Sequence, residues 1–163
     1  MKKFKILGIY RNPKFSNNAI EVDRLILEES IRQLGQQCAL PLDVTMIEEE
    51  EALEEEGNYD LVLTMAQAEE TLQALDRNLV SSPIWNSQTA IRNCYRKAMS
   101  SILSKLNVGY VPFSLLATEQ KAPSLPAGES FWLKRSDFHA IADEDVTLAE
   151  NQKEFEEKLA RFR

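Results

Sequence analysis

The chain has 163 residues, of which 44% are hydrophobic and 28% are charged, and its formal net charge is −7. This is the composition of an ordinary globular protein with one domain or two small ones. So acidic a balance argues against proteins that bind nucleic acids or anionic membranes, because both need a basic surface.

The N-terminal half of the chain alternates between strand-like and helix-like patterns. Residues 4–10 form a mostly apolar run that predicts a buried strand. The residues Ser16 to Asn18 are good helix N-caps, and the apolar positions after them share one helical face until Gly35, where we predict that the helix ends. The next predicted elements are, in chain order, a strand at 42–47, a strand at 59–65, a helix around 72–79 and a short strand at 83–86.

This alternation predicts an α/β fold with a Rossmann-like parallel sheet, because parallel strands need crossover helices between them. Ligands of such sheets bind beyond the carboxyl ends of the strands. Arg11 and Asn12 follow the first strand, and Asn86 closes the fourth. We therefore predict that these residues bind a small-molecule substrate, with Arg11 and Asn12 placed for an anionic group. Ordinary surface roles are the alternative.

An acidic stretch from Glu48 to Glu56 lies between the second and third predicted strands. Such a run is typical of a solvated loop or helix surface, and a metal-binding role is the alternative. The large aromatic side chains of Trp85 and Trp132 are predicted to lie in the hydrophobic core.

After Ser87 the pattern changes to a smaller α+β region, whose strands we expect to be antiparallel. We therefore predict one domain at 1–86 and a second at 87–163. The elements predicted for the second domain are helices at 89–94 and 96–106, a strand at 111–117, a loop at 119–130, strands at 131–135 and 146–148, and a helix at 151–162.

The segment from Phe131 to Arg135 places a lysine in an apolar, aromatic-rich strand. An unpaired buried charge is costly, so Lys134 in such a strand suggests a bound anion. Asp137 and His139, the single histidine of the chain, follow closely and add polar groups at the strand end. The alternative is an edge strand whose Lys134 and Arg135 reach solvent.

The two cysteines, Cys38 and Cys94, lie far apart and outside any CxxC or Cys/His cluster. This pattern argues against a zinc site and predicts reduced thiols in a cytoplasmic protein. The N-terminal apolar run is too short for a signal-peptide core, and no apolar run approaches the length of a membrane span.

The order and spacing of these elements resemble the front half of an ATP-grasp protein. The stretch from Asn86 to Lys97 looks like the family's link out of its N-terminal domain, in which an Asn closes the last strand and a lysine opens the next helix. The stretch from Lys97 to Pro112 looks like the family's helix, glycine and x-Val-Pro motif. Phe131 to Lys134 looks like the family's lysine-bearing strand.

The resemblance implies a pre-ATP-grasp domain followed by the first lobe of an ATP-grasp domain. Both matched lysines approach ATP phosphates in the family, so Lys97 and Lys134 are the implied ATP-binding residues, with His139 as a further phosphate contact. Two departures stand out. The stretch from Ser136 to Asp143 has no glycine, unlike the family's phosphate-covering loop. The family's adenine-binding hinge and metal ligands also lie further downstream than Arg163.

The implied function is that of the N-terminal part of an ATP-grasp protein. In complete form it would bind ATP and Mg²⁺ and phosphorylate or ligate a small molecule, usually a carboxylate. Because half of the nucleotide site would be absent, we expect residues 1–163 alone to have no activity and no tightly bound cofactor. We also expect a homodimer through the 131–163 region, which a second lobe would cover. A non-catalytic binding or interaction module of ATP-grasp ancestry is the alternative.

Overall fold

The computed structural model describes residues 3–16, 18–106, 121–126, 128–136 and 145–162. The chain divides into two compact units, Met1–Ile91 and Arg92–Arg163, and each is described by itself. The strand predicted at 111–117 and the candidate phosphate contact His139 lie outside the described residues. Within those residues, no helix is both long and apolar enough to cross a membrane.

The first unit is built on a four-stranded parallel sheet with the strand order β2-β1-β3-β4. The prediction of an α/β fold with a parallel sheet and crossover helices is thereby confirmed. The strands are β1 (Phe4–Ile9), β2 (Leu42–Ile47), β3 (Leu61–Thr64) and β4 (Ile84–Trp85), and the crossover helices are α1 (Ile20–Cys38) and α2 (Glu69–Asn78).

The strand order decides where the two crossover helices lie. The chain moves from β1 through α1 to β2 on one side, and from β3 through α2 to β4 on the other. Since parallel crossovers are right-handed, steps in opposite directions put α1 and α2 on opposite faces of the sheet. The sheet is thus covered on both faces, and β1 and β3 form its centre.

The packing of α1 on the sheet explains one glycine of β1. Ile6 on β1 and Tyr10, which directly follows the strand, pack with Leu27 and Ile31 on α1 in a single buried cluster. A Cβ at Gly8 would overlap the Met46 side chain and lie 3.2 Å from Ile31 Cδ1. A larger residue at this position would therefore require the end of the Met46 side chain on β2 to move and Ile31 on α1 to give way slightly.

The opposite face of the sheet is the more completely buried one. Leu7 and Ile9 alternate with the α1-facing residues of β1 and have no solvent exposure. Leu72 and Leu75 of α2 are buried to the same degree. Fully burying a leucine or isoleucine side chain contributes roughly 1.5–3 kcal/mol, so this face carries much of the unit's stability.

Both ends of α1 differ from the prediction. The helix begins at Ile20 after Ala19, which occupies the N-cap position and makes no side-chain capping hydrogen bond, so neither Ser16 nor Asn18 is the N-cap residue. The helix also continues through Gly35 to Cys38 and ends at Ala39, which has a left-handed φ of 50°. At Gly35 a Cβ would lie 2.8 Å from Leu42 Cδ1, so this glycine permits close packing and does not end the helix.

The second unit contains a two-stranded antiparallel sheet and helices. Leu133 and Ala149 on the strands pack with Phe155 and Leu159 on the last helix. The Asn151 side chain caps that helix by accepting a hydrogen bond of 3.0 Å from the Glu154 N–H. The remaining elements are α3 (Gln88–Cys94), α4 (Arg96–Lys105), β5 (Phe131–Lys134), β6 (Val146–Ala149) and α5 (Gln152–Ala160).

The prediction that both tryptophans lie in the core is wrong. Trp85 is 69% exposed and Trp132 is 63% exposed. Trp85 lies on a strand of only two residues at the edge of its sheet. Trp132 alternates with the buried Leu133, and side chains on opposite faces of a two-stranded sheet cannot both pack on α5.

Candidate functional site

The carboxyl edge of the four-stranded sheet holds a buried carboxylate. Glu49 follows β2 and is only 1% exposed. Its Oε1 accepts hydrogen bonds from the N–H groups of Gln67 and Ala68 at 2.7 and 2.6 Å. Its Oε2 accepts a hydrogen bond of 2.7 Å from the Asn12 N–H. One carboxylate therefore joins the loops that follow β1, β2 and β3.

Glu49 occupies the part of the sheet where ligands of this architecture bind. The strand order reverses between β1 and β3, and such a switch point opens a crevice at the carboxyl ends of the strands. The N–H groups of Gln67 and Ala68 directly precede α2, where free donors and the helix dipole favour an anion. Ala68 provides no side-chain cap. The chain thus supplies this anion itself, in the form of the Glu49 carboxylate.

The two predicted substrate residues after β1 make contacts inside the first unit. Arg11 Nη1 lies 2.9 Å from Asp23 Oδ2 on α1, with both side chains mostly buried. The pair is close but poorly aligned, since Arg11 Nε and Asp23 Oδ2 make no hydrogen bond within the described residues. Asn12 Oδ1 accepts a hydrogen bond of 2.8 Å from the Lys14 N–H, and its amide donates to Glu50.

Asn86, the third predicted substrate residue, follows β4 and is exposed. It takes no part in the hydrogen bonds of Glu49. The sheet therefore brings Asn12 to Glu49 and Arg11 to Asp23, while Asn86 stays outside both groups.

Other polar and charged side chains beside the same edge also contact partners within the first unit. The Tyr10 hydroxyl donates a hydrogen bond of 2.6 Å to Glu28 Oε1, and the Arg24 guanidinium lies 4.3 Å from the centre of the Tyr10 ring. Arg24 Nη2 in turn lies 2.6 Å from Glu48 Oε1. Burial, followed by the hydrogen bond to Glu28, raises the pKa of Tyr10 to about 12.

A second cluster, which we call the basic junction, lies in the second unit and consists of Arg96, Lys97, Lys134 and Arg135. The Lys97 N–H donates a hydrogen bond of 3.0 Å to the Ser136 carbonyl. Arg96 Nη1 donates one of 2.7 Å to the Arg135 carbonyl. The start of α4 is therefore joined to the end of β5. Because two extended residues span only about 7 Å, Lys97 and Lys134 lie near each other.

Within the basic junction, the arginine side chains form a hydrogen bond or an ion pair, whereas the lysine side chains have no acidic partner among the described residues. Arg135 Nη1 lies 3.4 Å from Oδ1 of the buried Asp145, and the Arg135 N–H donates to the Asp145 carbonyl. Lys97 and Lys134 are both exposed, and neither has an acidic partner in the part of the chain that the structure describes. Both lysine side chains are therefore open to solvent.

The environment of Lys134 differs from the one predicted from the sequence. We inferred a bound anion from the cost of burying this lysine, but the residue is exposed, as the edge-strand alternative predicted. Leu133 is buried and Trp132 is exposed, so Lys134 shares the open face of β5 with an aromatic ring. Any role in anion binding must rest on the nearby Lys97 and not on burial.

Sequence reasoning missed Glu49. The acidic stretch was predicted to be solvated, and for this residue the prediction is wrong. The available signal was its position, directly beyond the carboxyl end of a predicted strand, where polar side chains of such sheets gather. Because other glutamates stand on both sides of it, nothing in the local sequence distinguished Glu49 from its neighbours.

Among the described residues, no group of three or more His, Cys, Asp or Glu side chains converges in a way that could hold a metal ion. The chain matches no family model, and no match was found among curated proteins or among solved structures.

Proposed function

We propose that this chain is the N-terminal part of an ATP-grasp protein that binds ATP and Mg²⁺ and phosphorylates or ligates a small molecule, with a carboxylate as the preferred acceptor. In this proposal the first unit is the pre-ATP-grasp domain and the second is the first α+β lobe of the ATP-grasp domain. The observation that carries it is the basic junction, in which the backbone hydrogen bond from Lys97 to Ser136 joins the segments that bear Lys97 and Lys134, two exposed lysines without an acidic partner among the described residues.

The chemistry of the basic junction suits a chain of phosphate groups. Lys97 lies in the first turn of α4, where the helix dipole disfavours a cation. A phosphate bound between Lys97 and Lys134 would offset that cost and form charge-assisted hydrogen bonds with both. During transfer, the same two cations would stabilise the charge on the phosphoryl group.

The described residues fit the phosphates better than the metal. Mg²⁺ is bound through carboxylates and phosphate oxygens, and no carboxylate cluster of the required kind is found among the described residues. We therefore propose no Mg²⁺ ligand and no metal-dependent step of the reaction among these residues. Cys38 and Cys94 are free and exposed, which suits a reducing compartment, and we place the protein in the cytoplasm.

A binding or interaction module without catalysis is the second candidate. It is favoured by the carboxyl edge of the first unit, where Glu49 fills the crevice and Arg11 is paired with Asp23. A crevice filled by the chain's own side chains offers less room for a substrate. In this case the basic junction would bind an anion without transferring a phosphoryl group.

The proposal is tested by titrating the chain with tripolyphosphate and with ATP while following backbone amide NMR signals. We expect the largest shifts at Lys97 and Ser136. Lys97→Met and Lys134→Met should each weaken binding by about ten-fold or more, the loss expected for one charge-assisted phosphate contact of roughly 1.5–3 kcal/mol. Methionine keeps the aliphatic bulk, so folding should survive.

Lys105→Met is the matched control, because Lys105 is exposed at the opposite end of the same helix. It removes the same charge and should change the affinity by less than about two-fold. Equal affinities for the control and for Lys134→Met would refute the phosphate site. ATP binding that depends on both lysines would support the phosphate site under either candidate function. ADP formation in the presence of small carboxylates would exclude the non-catalytic module.

A further inference from the structure

Among the residues that the structure describes, the strand β2 pairs with β1 alone and forms one edge of the four-stranded sheet. Three consecutive residues of this strand, Asp43, Val44 and Thr45, are exposed. The Phe4 N–H donates to the Pro41 carbonyl, and the Tyr10 N–H donates to the Ile47 carbonyl. Alternate residues of a strand point their backbone groups the same way, so the odd-numbered residues of β2 face β1. The backbone groups of the even-numbered residues therefore point out from the edge.

The open edge lacks the usual protection against strand pairing. Natural edge strands are blunted by lysines, prolines or bulges. β2 has none of these within Leu42–Ile47, and its single charged residue is Asp43. Val44, at the middle of the strand, is 41% exposed. The edge thus combines free hydrogen-bonding groups with an exposed apolar side chain.

We propose that two copies of this chain associate by antiparallel pairing of β2 with β2 of the partner subunit, around a twofold axis at Val44. The two four-stranded sheets would join into one continuous sheet of eight strands. The interface is isologous, since the same strand is used by both copies. This inference concerns the first unit and does not depend on the proposed function.

The register is fixed by which residues have free backbone groups. A twofold axis at Val44 pairs all three outward-pointing residues, Leu42 with Met46 and Val44 with itself, and forms about six hydrogen bonds. Asp43 then lies opposite Thr45 of the partner subunit. An axis one residue earlier would place the two Asp43 carboxylates opposite each other, and like charges in that position destabilise a sheet.

Two features of the edge determine how strong the pairing should be. Asp43 and Thr45 line an open polar cleft of about 190 Å³, so pairing would leave their side chains hydrated. A pair of six-residue strands buries less than the roughly 800 Å² per partner of a standard stable interface. Each copy also carries a net charge of −7. We therefore expect a weak dimer that salt strengthens by screening this repulsion.

The central test is Val44→Lys, measured by sedimentation velocity up to high micromolar concentration. It places two ammonium groups opposite each other across the axis, and we expect the dimer dissociation constant to rise at least about ten-fold. Val80→Lys is the matched control, because Val80 is 77% exposed and lies outside β2. It makes the same change of charge and should leave the constant within about two-fold of the parent value.

The register has its own test in Thr45→Lys, which places a lysine opposite Asp43 of the partner subunit. This variant should associate about three-fold more tightly than Val80→Lys, and the gain should vanish at high salt. A parent chain that stays monomeric at high micromolar concentration would overturn the proposal. So would equal dissociation constants for Val44→Lys and Val80→Lys. Association that is lost in Trp132→Lys and kept in Val44→Lys would instead place the dimer contact in the 131–163 region.

Discussion

The carboxyl edge of the first unit and the basic junction of the second both gather backbone N–H groups and charged side chains. They use these groups in opposite ways. At the first edge the donors converge on Glu49, which is almost fully buried, and the cations Arg11 and Arg24 are each paired with an acid. At the basic junction, Lys97 and Lys134 stay exposed and have no acidic partner among the described residues.

This difference shows that an anion-binding arrangement in a fold does not identify a ligand site. The N–H groups before α2 are satisfied by a side chain of the same unit, so an external anion would have to displace a buried carboxylate. The lysines of the basic junction lose only hydration when an anion arrives. An added anion should therefore bind to the second unit before it binds to the first.

The largest expected effect comes from Glu49→Gln. The change keeps the shape of the side chain but replaces one acceptor oxygen by an NH₂ group. Depending on which oxygen is replaced, either the Asn12 N–H or the N–H groups of Gln67 and Ala68 lose their hydrogen-bond acceptor. Leaving a buried donor without a partner costs about 1–3 kcal/mol, and the lost charge weakens the remaining bonds. We expect the free energy of unfolding to fall by about 2–3 kcal/mol in urea denaturation.

Glu54→Gln provides the comparison for this variant, since Glu54 belongs to the same acidic stretch and is exposed. Its free energy of unfolding should stay within about 0.5 kcal/mol of the parent value. If the two variants were equally stable, Glu49 would not be the anion that holds the first edge together.

An effect of intermediate size should appear at alkaline pH. The pKa of Tyr10 is raised from 10.0 to about 12, so the folded state keeps a proton that the unfolded state releases. The stabilisation is fully present below pH 10 and is lost as the pH rises towards 12. Tyr10→Phe should therefore flatten the fall in unfolding free energy over this range.

The same measurement can be made on Tyr59→Phe. Burial and then Glu55 raise the pKa of Tyr59 to about 12 as well, so this variant should also flatten part of the fall. At neutral pH, Tyr10→Phe should cost about 1 kcal/mol through the lost hydrogen bond to Glu28. A slope that neither variant changes would show that the alkaline loss has another source.

The smallest expected effect concerns the basic junction of the second unit. Asp145→Asn removes the acid that lies 3.4 Å from Arg135 and makes the net charge of the basic junction more positive by one unit. We expect tripolyphosphate to bind about three-fold more tightly, at a stability cost below about 1 kcal/mol, because Arg135 is partly exposed. Amide NMR titration measures the affinity and urea denaturation measures the cost.

Glu129→Gln controls for the change in net charge, since Glu129 is exposed and precedes β5. It should raise the affinity for tripolyphosphate by less than the Asp145 variant does. Equal gains would mean that long-range charge, and not the loss of the Arg135–Asp145 ion pair, explains the effect.

Local patterns predicted most of the elements of this chain. The bounds of β2 agree with the predicted strand, and the β1–β3 pairing joins two strands that were predicted to share a sheet. The ends of α1 were predicted less well. Several residues before Ile20 could have capped the helix, and the close packing of Leu42 against Gly35 gives that glycine another reason to be present.

The amino-acid sequence by itself determined the order of strands and helices in the first unit and the position of Lys97 in the first turn of a helix, because apolar periodicity and turn chemistry act over a few residues. Only the tertiary structure decided that Glu49 is buried while Glu50 and Glu51 are exposed, that Trp132 is exposed, and that Lys97 lies beside the end of β5. These outcomes depend on which faces are covered and which loops meet. Residues far apart in the chain determine both.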